Sequence, residues 1–138
     1  DNTGKKTSHA HAFAELRSAA LLAKAVANDP TALAAHAAVR IATINGARAL
    51  GMDNLIGSIE ISKTADITAV RIDTLCAQPL YDPPSSLVYT SSGSPVSDVW
   101  VGGKRLLNNR QLTTRDEADL LARAMHWGEK ISSAKKHG

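Results

Sequence analysis

Apolar residues recur at three- and four-residue steps from about Ser8 to Ala27. Phe13, Leu16, Ala20, Ala23 and Ala27 mark one face, and Glu15, Arg17 and Lys24 lie between them. That spacing predicts a helix. Asn28-Asp29-Pro30 closes it and opens a second, because aspartate is a good N-cap and proline suits the first helical position. The second helix is predicted over about Pro30 to Leu50, with Leu33, Ala37, Ile41 and Ile44 on one face. Gly51 then supplies its C-terminal stop.

After Gly51 the pattern changes period. Residues 54–60 read as a turn entering a short strand. Asp66 to Ile72 is the strongest strand candidate, with β-branched residues and apolar side chains on both faces, so cover on both sides is expected. Pro79 to Ser86 is a connection, and Ser85 to Tyr89 forms a helical turn. Val96 to Val101 and Lys104 to Leu107 are strands joined by a hairpin turn at Gly102-Gly103. Thr114-Arg115-Asp116-Glu117 reads as a capping box, opening a last helix with Leu120, Ala124, Trp127 and Ile131 at helical spacing. Two helices, a few short strands and a final helix make a mixed α/β chain. So few strands leave sheet edges uncovered, and further strands are expected from elsewhere.

The 138 residues are 43% hydrophobic and 21% charged, an ordinary globular balance with room for one domain. Aromatics are only 4%, so alanine dominates the apolar positions and helices can pack closely. The net charge of +3 comes partly from Lys5, Lys6, Lys135 and Lys136 at the ends. Solvated termini, not a nucleic-acid face, are the reading of that excess. No run approaches the ~20 apolar residues of a membrane span, and no charged-then-apolar leader precedes the first helix. Cys76 is the single cysteine, which excludes an internal disulfide and a multi-cysteine zinc site. A cytoplasmic protein is expected, with no membrane partner.

Ser8-His9-Ala10-His11 is the most conspicuous candidate motif. Two residues apart on a helix, side chains point ~200° from each other and cannot chelate one ion. His36 and His126 stand alone on helices. Cys76 reads as a structural thiol. Gly102-Gly103-Lys104 sits in a hairpin, not a phosphate loop, and the serines around Ser85 and Ser91 lack the strand-turn-helix setting of a nucleophile elbow. From these residues alone no complete active site emerges.

The run Ala42-Thr43-Ile44-Asn45-Gly46-Ala47-Arg48-Ala49-Leu50-Gly51, then Ile56-Gly57-Ser58-Ile59-Glu60 and Lys63-Thr64-Ala65-Asp66-Ile67, resembles the C-terminal signature of the amidohydrolase superfamily. Tyr81-Asp82-Pro83, Leu87-Val88-Tyr89 and Asp98-Val99-Trp100-Val101 resemble its aminohydrolase and chlorohydrolase branch, above all the 5-methylthioadenosine/S-adenosylhomocysteine deaminases. The likeness spans residues 13–131. It implies the C-terminal part of a metal-dependent (β/α)8 barrel, strands of a small β-sandwich built from both ends of the chain, and a C-terminal helix. The implied division is 1–52 for the end of the barrel after its eighth strand, 53–113 for the sandwich strands and 114–138 for the last helix and tail.

The resemblance also implies a chemistry. Family members hold one divalent metal, zinc or iron, through an HxH pair, a further histidine and an aspartate that ends the eighth strand. Asp1 stands in that last place, before Asn2-Thr3-Gly4 and the first helix. It would ligate the metal and take a proton from the attacking water, whose pKa the ion lowers towards ~7. His9 and His11 follow that position and so do not correspond to the HxH pair. The expected function is hydrolytic deamination of an adenine-type purine such as 5-methylthioadenosine or S-adenosylhomocysteine. The alternatives are a chlorohydrolase or deaminase of another nitrogen heterocycle, or a non-catalytic interaction module on the same scaffold. The expected partners are the N-terminal segment of the same enzyme, a small heterocyclic substrate and a second copy in a homo-oligomer. The 138-residue chain alone is expected to be inactive, since a (β/α)8 barrel takes ~250 residues. Two departures from the family pattern stand out: residues 2–11 lack its asparagine-rich loop, and Ser62 occupies a position where glycine is usual.

Overall fold

The computed structural model describes residues 12–73, 75–90 and 96–135. Helix α1 runs Ala12–Ala27 and ends as the sequence predicts near Asn28. Asn28 takes a left-handed φ of 50°, and the Asn28 and Asp29 amides donate back to the Ala25 and Lys24 carbonyls. This is a Schellman ending with asparagine in the position that favours glycine. The following turn is tied by Lys24 Nζ, which donates to the carbonyls of Pro30 (2.6 Å) and Ala32 (2.9 Å).

The second helix differs from expectation at its start and in its middle. It begins at Ala35, not Pro30, and Asp29 is not its N-cap. The Asp29 carboxylate instead accepts from the Thr31 amide and hydroxyl, both at 2.7 Å, which closes a local turn in competition with the helix. Helix α2 (Ala35–Arg40) passes through a π-helical turn, Ile41–Asn45, into α3 (Gly46–Ala49). Within that turn Thr43 Oγ1 donates to the Val39 carbonyl at 2.8 Å. Gly51, at φ 67°, ends the run as predicted, with its amide on Arg48 and the Met52 amide on Ala47.

Residues 54–60 form the predicted turn but no strand follows. The Thr64 amide closes the loop onto the Leu55 carbonyl at 2.8 Å, and Ile59 and Ile61 are exposed with no neighbouring strand among the described residues. The four strands β1 (Ile67–Val70), β2 (Val96–Val101), β3 (Lys104–Asn108) and β4 (Gln111–Leu112) form an open antiparallel meander in chain order. Gly102 and Gly103, at φ 58° and 75°, make the predicted hairpin. Its tip is clamped to the start of β1: Asp66 Oδ1 accepts from the Gly102 amide (2.7 Å) and the Ala65 carbonyl from the Gly103 amide (3.0 Å). A second hairpin at Asn109-Arg110, φ 45° and 68°, carries no glycine and was not predicted. Cover on both faces of β1 is not found among the described residues: Thr68 is exposed and its neighbours are half-buried.

The core lies in the helical half. Leu16 and Ala20 of α1 pack with Ala35, Ala38 and Val88, flanked by Leu33, Val39 and Tyr89. Val88 belongs to a π-helical turn, Ser86–Thr90, which follows the short helix α4 (Pro83–Ser85). Asp82 caps α4 by accepting from the Ser85 amide at 3.0 Å, and Arg17 Nε donates to the Val88 carbonyl at 3.3 Å. Alanine contacts let the helices approach closely, so the scarcity of aromatic residues is consistent with this packing.

The final helix, α5 (Glu117–Lys135), is capped by Asp116, not by Thr114 as the capping box implied. Asp116 Oδ1 accepts from the amides of Ala118 (2.9 Å) and Asp119 (3.4 Å). Glu117 is not free to close a box, because its carboxylate accepts from the Leu112 amide at 3.2 Å.

Candidate functional site

One group of charged side chains lies where the π-helical turn Ile41–Asn45 meets the loop after α3. Arg40, Thr43 and Arg48 line one wall of a cleft of about 600 Å³, and Asp53, Ser58, Glu60 and Lys63 line the other. The loop is held against the helix by Gly57, whose φ is 91°. Lys63 Nζ donates to Ser58 Oγ (2.6 Å) and to Glu60 Oε1 (3.2 Å). Arg48 lies 3.8 Å from Asp53 and donates to Asn45 at 3.2 Å. The Ser58 hydroxyl, then Lys63, hold the Glu60 carboxyl below its ordinary range. Within the cleft Arg48 is paired with Asp53 and Lys63 with Glu60, and its lining contains no histidine or cysteine. Its chemistry is that of a fastened loop.

A second polar cluster ties the sheet together. Asp98 on β2 accepts from the Asn109 amide at 3.0 Å and from the Arg105 guanidinium, and that guanidinium lies 5.2 Å from the centroid of the Trp100 ring. The Asn109 amide, then Arg105 and Ser97, lower the Asp98 carboxyl to about 2. This cluster was missed in the sequence, because it depends on strand register: Trp100 stands opposite Arg105, and the second hairpin folds Asn109 back over Asp98.

Asp1, expected as metal ligand and catalytic residue, lies outside the described residues, as do His9, His11 and Ser91. His36 is exposed on α2 and His126 is exposed on α5. Cys76 falls in a 3-10 turn, Leu75–Ala77; its side chain lies outside the description. No three His, Cys, Asp or Glu side chains converge among the described residues. These residues therefore do not fit a divalent ion by themselves, and the geometry on hand supports no step through one. No described helix is long and apolar enough to cross a membrane.

Residues 3–106 match the Amidohydrolase family, and the chain belongs to it. Over 123 residues, 89% of this chain, it is 46% identical to the 5-methylthioadenosine/S-adenosylhomocysteine deaminase of Teredinibacter turnerae, of which it covers 28%. Among solved structures it is similar to an adenosine deaminase from Xanthomonas campestris with bound zinc. There the TM-score is 0.82 and the identity 48%, over 88% of this chain and 28% of that one. It is also similar to the atrazine chlorohydrolase of Arthrobacter aurescens TC1 in complex with zinc, at a TM-score of 0.74 and 30% identity, over 83% of this chain and 25% of that one. The chain thus spans little more than a quarter of the length of the relatives it matches.

Proposed function

We propose that this chain is the C-terminal part of a zinc-dependent hydrolase that deaminates an adenine-type nucleoside, with 5-methylthioadenosine or S-adenosylhomocysteine as substrate. The observation that carries the reading is the 46% identity to a deaminase of those two compounds over nearly the whole chain. Zinc is the ion proposed, because both solved relatives hold it. In this reading residues 1–52 complete a barrel, 53–113 give strands to a composite sandwich and 114–138 form the last helix and tail. Among the described residues no further strand pairs with β1 or β4, which supports the composite sheet.

The reaction consumes one water. Its oxygen bonds to the ring carbon that carries the exocyclic amine, the C–N bond breaks and ammonia leaves. Asp1 is the proposed proton acceptor and one ligand of the ion, with the other ligands supplied by the N-terminal segment. The test is metal content and ammonia release from 5-methylthioadenosine in the intact enzyme. Asp1→Asn is expected to lower turnover ~10²–10⁴-fold, the usual loss for a general base, and to weaken metal retention. His9→Ala and His11→Ala are expected to keep the metal. If the histidine variants lose metal while Asp1→Asn keeps both metal and turnover, the site is assigned wrongly. Release of chloride from a chlorotriazine without any deamination would instead favour the chlorohydrolase reading.

A further inference from the structure

We draw no further inference here: the strongest candidate, the polar cleft lined by Arg40 and Arg48 between the π-helical turn Ile41–Asn45 and the loop after α3, carries nothing, because the chain spans 28% of its deaminase relative and nothing in the structure shows whether a ligand or the rest of the same polypeptide covers it.

Discussion

Gly57 lies so close to Ala47 that a Cβ added at position 57 would stand 2.7 Å from the Ala47 Cβ and 3.0 Å from the Ile44 Cα. The loop after α3 therefore rests on the helix backbone itself, and its φ of 91° is one that side chains rarely allow.

Gly57→Ala is accordingly expected to destabilise the protein by ~2–4 kcal/mol, from backbone strain together with overpacking. The denaturation midpoint measures it. A loss below ~0.5 kcal/mol would show that the loop does not rest on the helix.

Asp98 gives stability a defined pH dependence. Its carboxyl sits at about 2 in the folded protein, against an ordinary 3.8. Between those values the unfolded chain binds the proton and the folded one does not, so stability rises with pH there. The contribution is complete above the ordinary value and is lost as the pH falls through about 2. Acid unfolding of the wild type and Asp98→Asn should therefore differ in slope over that window, with the variant flatter. Equal slopes would remove Asp98 from the account.

The two candidate caps of α5 can be told apart by substitution. Asp116→Ala is expected to cost ~1 kcal/mol of helix stability, the usual loss of an N-cap, whereas Thr114→Ala removes no bond to a helix amide. Circular dichroism of the two variants checks this; a larger loss of helix from Thr114→Ala would restore the capping box.

Much of the chain's punctuation was legible because it is local. Gly51 and Gly102-Gly103 mark backbone of positive φ, and glycine tolerates that without a partner. Asn109-Arg110 has the same backbone but was not recognised, since neither residue requires it. Asp29 is an N-cap by residue type, but Thr31 captures it, a competition decided by two short hydrogen bonds that composition does not rank. The candidate site was legible through motif likeness alone: Asp1 lies outside the described residues, and spacing brings no second ligand to it.

The sequence by itself determined the helical first half, the hairpin at 102–103 and membership in a family, since periodicity, turn residues and motif order are properties of the chain. Tertiary structure alone decided the π-helical turn at Ile41–Asn45, the burial of Val88 between α1 and α2, and the seat of Asp98 under Asn109 and Arg105. The burial of Val88 and the seat of Asp98 depend on contacts between separate elements. Arg17 reaches Val88 across 71 positions, and no local pattern encodes that distance.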